Sequence, residues 1–189
     1  MSTLSLTEQL KYDKVWGIEA YRKVSPALYA VEEFLQWIDN GSVIDFGCGT
    51  GRASLLISGY NPVTMVDISE YCLDPEIINN LSPNLEFKQQ CLWELDIPSA
   101  DYGFCCDVME HIPEEKVDKV LSNISNHVND CYFRIFLHKD NGKFIDEPLH
   151  LTVRPKEWWH VKISKLFNSV IMKSNGTVAT IYARKHDLS

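Results

Sequence analysis

Long hydrophobic runs are missing from this sequence of 189 residues, although 45% of its residues are hydrophobic. Every apolar run is far shorter than the roughly 20 residues that a helix needs to cross a bilayer. We therefore expect no membrane partner. The length suits one domain with a core of ordinary size.

Runs of lysine or arginine are also missing, and the formal net charge is -8. This balance disfavours a nucleic-acid partner, because polyanion binding needs a basic patch. The six cysteines include no CxxC pair, and "MSTLSLTEQL" lacks the cationic start and apolar run of a signal peptide. A reduced, cytoplasmic setting is the prediction.

What the sequence does contain is an alternation of strand and helix patterns. Asn-Gly within "SVIMKSNGTVATIYAR" predicts a closing hairpin, and Trp158, Val161, Lys162 and Lys165 have the spacing of a last amphipathic helix. The predicted helices span residues 27–38, start near residue 52, and span 113–128 and 154–167. The predicted strands before the hairpin are 42–46, 62–69, 85–90, 102–109 and 131–138.

Alternating strands and helices predict an α/β fold with a mostly parallel sheet and helices on both faces, since parallel strands require crossover connections. The closing hairpin adds an antiparallel strand. No repeat or low-complexity linker interrupts the pattern. We predict a single domain over residues 1–189, with an N-terminal arm over 1–26 and the core over 27–189.

The stretch "VIDFGCGTGRASLL" contains glycines at 47, 49 and 51. Arg52 stands where the dinucleotide fingerprint needs its third glycine, and no P-loop Gly-Lys-Ser/Thr follows. Such a loop suits a nucleoside that lies directly on the backbone. Asp67 ends the next strand, where a carboxylate can accept both ribose hydroxyls. Asp45 could face an ammonium group. S-adenosylmethionine (SAM) carries a ribose at one end and an ammonium group at the other, and so would satisfy both carboxylates.

With these residues the sequence resembles the class I SAM-dependent methyltransferases, in "VIDFGCGTG", "VTMVDIS" and "ADYGFCCDVMEHIP". The resemblance covers roughly residues 30–184. It implies a Rossmann-like seven-stranded sheet in the order 3-2-1-4-5-7-6, with strand 7 antiparallel. The stretches "YDKVWGIEAYRKVSP", "CCDVMEHIP" and "EPLHLTVRPKEWW" look like small phage and prophage methyltransferases.

The same resemblance implies SAM as cofactor, S-adenosylhomocysteine (SAH) as product, and a set of cofactor contacts. Asp45 would lie near the amino end of the cofactor, Asp67 at its ribose and Ile68 at its adenine. Cys91 and Leu92 stand where family members often place an adenine-binding acid. The implied cofactor residues are Asp45, Gly47, Cys48, Gly49, Gly51, Asp67, Ile68, Cys91, Leu92 and Asp107.

His111 is the candidate general base, because it follows the fourth strand at the sheet edge where cofactor and acceptor must meet. Glu110 is the second candidate catalytic residue. A purely structural role for both, at the start of the next helix, is an alternative. We predict no resident metal; the other alternative is that Asp107, Glu110, His111 and His150 supply oxygen and nitrogen ligands for a divalent ion.

The expected activity is methyl transfer to an oxygen or nitrogen of a small molecule or a protein side chain. The alternatives are a non-catalytic SAM-binding module and a nucleic-acid methyltransferase, although "DVMEH" occupies the place of the Asn/Asp-Pro-Pro-aromatic tetrapeptide of base-amino enzymes. The arm with Tyr12, Trp16, Tyr21 and Arg22 is interpreted as a lid, with Arg22 available to a carboxylate, or as a packing arm. The oligomeric state is not predicted.

Overall fold

A computed structural model describes residues 2–140 and 142–186 of the chain. The strands, numbered along the chain, are β1 Val43–Phe46, β2 Val63–Asp67, β3 Leu85–Gln89, β4 Ala100–Cys106, β5 Val128–Phe136, β6 Ser169–Ser174 and β7 Val178–Arg184. They form one seven-stranded sheet in the order β3-β2-β1-β4-β5-β7-β6. This order is the predicted one.

The pairings also agree with the prediction. β1 pairs with β2 and β4 in parallel, as do β2 with β3 and β4 with β5. β7 is antiparallel to both β5 and β6. The predicted "SNG" turn joins β6 to β7, and its Gly176 has a φ of +87°, which glycine adopts without strain.

Helices cover both faces of the sheet. The α-helices are α1 Thr3–Trp16, α2 Glu19–Arg22, α3 Val31–Trp37, α4 Arg52–Ile57, α5 Pro75–Asn79, α6 Glu114–His127 and α7 Lys156–Ile163. Short 3-10 helices span Pro26–Ala30, Leu92–Glu94 and Met109–His111.

Two hydrophobic cores lie on opposite faces of the sheet because successive strand residues point to opposite sides. Ile44 belongs to one core, together with Ile124 of α6 and Trp159 of α7. Its neighbour Val43 belongs to the other, together with Phe34 of α3. The sheet is therefore covered on both faces.

The last helix forms as predicted, but the predicted residues of its buried face, Trp158 and Val161, are wrong. Trp159 and Ile163, at a spacing of four, are the fully buried residues of α7, while Val161 is 57% exposed. Trp158 is half-buried, and the ammonium group of Lys162 lies 4.7 Å from the centre of its ring. Adjacent residues on a helix point in directions about 100° apart, so only one of the two tryptophans can face the core, and it is Trp159.

The fourth strand ends earlier than predicted. β4 stops at Cys106 because Asp107 adopts a φ of +54° and the chain turns into the 3-10 helix Met109–His111. This turn brings residues 107 to 111 to the carboxyl edge of the sheet. Among the described helices, none combines the length and apolarity that spanning a membrane requires.

Candidate active site

A cavity of about 410 Å³ lies at the carboxyl edge of β1, β2, β4 and β5. Its volume is in the range of small-molecule sites. Most of the predicted site residues line it, namely Gly47, Cys48, Gly49, Asp67, Ile68, Leu92, Asp107, Glu110 and His111. The structure therefore brings the glycine loop and the candidate catalytic residues into one cavity.

The glycine loop follows β1 and depends on glycine at two crowded positions. Gly47 has a φ of +75°, and a Cβ there would lie 2.4 Å from Cγ2 of Val108. Gly49 has a φ of +52°, and a Cβ there would lie 3.0 Å from the indole of Trp16. The loop is anchored to β2, since the N–H groups of Gly47 and Cys48 both donate to the carbonyl of Val66.

Asp67 ends β2 with its carboxylate beside this loop. Oδ2 accepts a hydrogen bond from the N–H of Gly49 at 3.0 Å, and Oδ1 accepts one from the N–H of Ser69 at 3.1 Å. The two hydrogen bonds lower the pKa of Asp67, but burial outweighs them and raises it to about 6. Each carboxylate oxygen keeps a lone pair, so the group can still accept from two further hydroxyls.

Three predicted cofactor residues do not line the cavity. Asp45 is buried behind the loop and accepts a hydrogen bond from the hydroxyl of Ser54 on α4, and burial raises its pKa to about 7. A Cβ on Gly51 would lie 2.8 Å from Ile77, so this glycine allows α5 to pack closely. Cys91 is buried in the core. Their cofactor contacts stay predictions.

Asp107 pairs with Arg134, a cavity residue that the sequence analysis missed. The guanidinium Nη1 of Arg134, on β5, donates to Oδ2 of Asp107. A signal was present, because Arg134 is the one charged residue in the strand pattern "CYFRIFLH". A charge inside a strand that is otherwise apolar indicates a buried partner.

His111 is held by two groups at the same ring nitrogen. Nδ1 lies 3.1 Å from the carbonyl oxygen of Leu149 and 3.0 Å from the hydroxyl of Tyr12. A carbonyl only accepts, so the contact to Leu149 assigns the ring proton to Nδ1 and leaves Nε2 with its lone pair. Burial, followed by the nearby His150, lowers the pKa of His111 to about 3, which keeps the imidazole neutral.

Glu110 is fully buried next to His111. Its Oε1 accepts from the backbone N–H of Phe136 at 3.0 Å, while its Oε2 has no hydrogen-bond partner among the described residues. Burial, followed by the charge of Asp107, raises the pKa of Glu110 well above its usual value. The backbone carbonyl of Glu110 accepts from the N–H groups of Leu151 and Thr152, which fixes the loop that carries His150.

The N-terminal arm covers the cavity with aromatic side chains. Tyr12 and Trp16 of α1 line it, and Tyr21 of α2 packs edge-on against Trp16 and against Phe144 of the loop after β5. Arg22 donates to the carboxylate of Asp74 at 2.6 Å, and its pairing with a ligand carboxylate stays a prediction. The arm thus lies over the cavity and is attached to the segment before α5 by the Arg22–Asp74 pair.

Comparison with known proteins identifies part of the chain. Residues 43–130, which contain the glycine loop, Asp67 and His111, match the family model of a methyltransferase domain. The predicted enzyme class, a SAM-dependent methyltransferase, and its cofactor are therefore confirmed; the site residues stay predictions.

Solved structures share the fold of the chain. DhpI in complex with SAH has a TM-score of 0.77 at 19% identity, covering 97% of this chain and 98% of its own. DhpI with SAM and HEP has a TM-score of 0.75 at 19% identity, with coverages of 97% and 99%. Magnesium protoporphyrin IX methyltransferase (ChlM) from Synechocystis PCC 6803 with bound SAH has a TM-score of 0.66 at 16% identity, covering 89% and 88%. No curated protein sequence matches the chain.

Proposed function

We propose that the protein transfers a methyl group from SAM to an oxygen or nitrogen atom of a small molecule held in this cavity. The observation that carries the proposal is the joint lining of one 410 Å³ cavity by the glycine loop, Asp67 and the group around His111. The cytoplasmic setting and the phage-type resemblance stay predictions, since no match bears on either.

The cofactor end of the cavity fits an adenosyl ligand by the chemistry of its donors and acceptors. Asp67 would accept the ribose hydroxyls, and Ile68 and Leu92 would lie against the adenine. The indole Nε1 of Trp16 is buried without a partner among the described residues, and so offers one further donor on the lid side. When bound, SAM supplies a methyl group whose C–S bond breaks with the electron pair remaining on sulfur.

The chain's own residues contribute mainly by positioning and by excluding water. Holding an acceptor against the methyl carbon in a closed site can lower the barrier by roughly 7 to 11 kcal/mol. With a pKa of about 3, the imidazole of His111 alone is a weak proton acceptor at neutral pH. We therefore assign the loss of the acceptor's proton to His111 acting together with Glu110 and His150.

A small acceptor is favoured over a protein side chain because the lid closes the acceptor end. Tyr12 contacts His111 directly, and Tyr21 packs on Phe144, so the path to the proposed reacting atoms is narrow. Five acids, Glu8, Asp67, Asp107, Glu110 and Asp140, line the cavity and disfavour a nucleic-acid backbone. DhpI with SAM and HEP supports the view that this fold accommodates a third component beside the cofactor.

The test uses SAM with a labelled methyl group in a bacterial cell extract, separated afterwards by ultrafiltration. We expect label in the small-molecule fraction with the wild-type protein and much less with Asp67→Asn at a SAM concentration below saturation. Label in the protein or nucleic-acid fraction would refute the small acceptor. Binding of SAH without any transfer would favour the non-catalytic module.

A further inference from the structure

The acceptor end of the cavity contains three side chains of metal-ligand type, Glu110, His111 and His150. One ligand atom of each lies within 4.8 Å of those of the other two. Two imidazoles and one carboxylate suit divalent ions such as Zn²⁺, Mn²⁺ or Fe²⁺, and three protein ligands leave coordination positions open. Mg²⁺ and Ca²⁺ prefer sets made of oxygen alone.

The carboxylate of Glu110 lacks a partner that a cation would supply. The side chain is 0% exposed, and Oε2 makes no hydrogen bond within the described part of the chain, whereas Oε1 is occupied by the N–H of Phe136. Leaving a buried carboxylate oxygen unpaired costs folding free energy. A metal ion on Oε2 removes that cost.

Both histidines are oriented as metal ligands usually are. Nδ1 of His150 lies 2.6 Å from the carbonyl oxygen of His138, and Nδ1 of His111 lies 3.1 Å from that of Leu149. A ring N–H that donates to a backbone carbonyl fixes the tautomer and leaves Nε2 to bind metal. Asp140 accepts hydrogen bonds from the backbone N–H groups of Leu149 and His150. These bonds fix the position of the Leu149 carbonyl that holds His111, and of His150 itself.

The charges around the cluster also favour a cation. Arg134 is the one lysine or arginine among the described residues that line the cavity, and its guanidinium is taken up by Asp107. That pairing removes Asp107 from the ligand set considered from the sequence. The carboxylate of Glu110 has no cationic side chain hydrogen-bonded to it within the described residues.

We propose that Glu110, His111 and His150 bind one first-row transition-metal dication, which in turn binds the acceptor atom and lowers its pKa. The ligand atoms need to approach one another by roughly 1 Å, because bonds of about 2.0 to 2.2 Å place two ligands of a tetrahedral ion roughly 3.3 to 3.6 Å apart. With the ion bound, Nε2 of His111 is a ligand and no longer accepts a proton, so the acceptor's proton passes to water. The proposed proton transfer to the group around His111 applies to the metal-free protein. The inference rests on the proposed function only for the role of the ion, not for its binding.

The experiment measures metal binding by the full-length protein after treatment with a chelator. We expect one Zn²⁺ per chain by calorimetry, one Co²⁺ by absorption spectroscopy, and no comparable binding of Mg²⁺. His150→Ala and Glu110→Gln should each weaken Zn²⁺ binding by at least about tenfold. His160→Ala, a histidine outside the cavity, is the matched control and should bind as the wild type does.

A competing cluster, Cys48, Asp67 and Cys72, is tested in the same way. Cys72→Ala should leave the stoichiometry unchanged, and the Co²⁺ spectrum should lack a thiolate charge-transfer band. Absence of Zn²⁺ binding, loss of binding in Cys72→Ala, or full binding in both His150→Ala and Glu110→Gln would overturn the proposal. Calorimetry with SAH on every variant reports folding and the cofactor site separately, so a failed metal site leaves the proposed function standing.

Discussion

The hydroxyl of Tyr12 lies 3.0 Å from Nδ1 of His111, across a sequence separation of 99 residues. This contact joins the first helix to the turn after β4 and makes the arm part of the site. Burial raises the pKa of Tyr12 well above its usual value, so the hydroxyl keeps its proton. The lid and the candidate catalytic group are thus linked by one hydrogen bond.

Replacing Tyr12 with phenylalanine removes that hydroxyl and little else. We expect Tyr12→Phe to lower the free energy of unfolding by about 1 kcal/mol, the usual contribution of one hydrogen bond. Urea denaturation measures the change. Tyr29→Phe is the control, because Tyr29 is 86% exposed and its loss of a hydroxyl should change nothing. Equal stability of both variants would argue against the contact.

Arg22 pins the lid to the segment before α5. Its guanidinium donates to Asp74 at 2.6 Å and to the carbonyl oxygens of Leu73 at 2.8 Å and Tyr71 at 2.9 Å. Charge-assisted bonds are each worth about 1.5 to 3 kcal/mol, so Arg22→Gln should speed hydrogen exchange in residues 12–22 by roughly ten- to a hundredfold.

Lys23→Gln provides the matched control for the lid. The side chain of Lys23, which follows α2, is 71% exposed, and its only ion pair within the described residues is with Glu19. Its exchange pattern should stay that of the wild type, because exposed pairs contribute little. If Arg22→Gln exchanged no faster than Lys23→Gln, the arm would be held by packing alone.

Asp67 should make cofactor affinity depend on pH. The ordinary pKa of an aspartate lies below the value of about 6 found here, so the carboxylate takes up a proton as the pH falls through 6. A protonated carboxyl accepts less well from ribose hydroxyls, and SAH affinity should fall between pH 7 and pH 5. Isothermal titration at several pH values measures this fall.

The variant Asp67→Asn separates this effect from a general loss of structure. It should bind SAH at least about tenfold more weakly at pH 7 and lose most of the pH dependence. Asp118→Asn, on the exposed face of α6, should retain both the affinity and the pH profile of the wild type. A wild-type profile in Asp67→Asn would remove this residue from the site.

Replacing each of the two tryptophans of α7 with alanine should have very different effects on the free energy of unfolding. Trp159 is fully buried, so Trp159→Ala should lower the free energy of unfolding by about 3 to 5 kcal/mol. Trp158 is half-buried under Lys162. Trp158→Ala should therefore lower the free energy of unfolding by less than half of the loss in Trp159→Ala. Chemical denaturation of both variants measures the difference. Equal losses would contradict the observed register of the helix.

Local chemistry made the sheet and the glycine loop predictable. Gly47, Gly49 and Asp67 stand at the ends of strands that the pattern predicts, in an order that the resemblance implies, and all three line the cavity. The place of Asp45 was not predictable, because all four residues of β1 are buried and a two-sided sheet has no exposed face to fix the direction of a side chain. Its carboxylate accepts a hydrogen bond from the hydroxyl of Ser54.

Contacts between distant segments were the other part that the sequence could not supply. Asp140 lies in a loop with no motif, yet it accepts three backbone N–H groups, those of Gly142, Leu149 and His150. Trp16 was placed in the lid, but its approach to Gly49 depends on how α1 packs. Such contacts arise from the packing of whole elements, which no local spacing encodes.

The insertion of β7 between β5 and β6 has a consequence for how the chain is synthesised. Seven residue pairs join β5 to β7, yet about forty residues separate the two strands. Until residues 178–184 leave the ribosome, one side of β5 presents unpaired backbone groups, and such an edge invites association with other chains. Completion of the sheet therefore waits for the last strand to be translated.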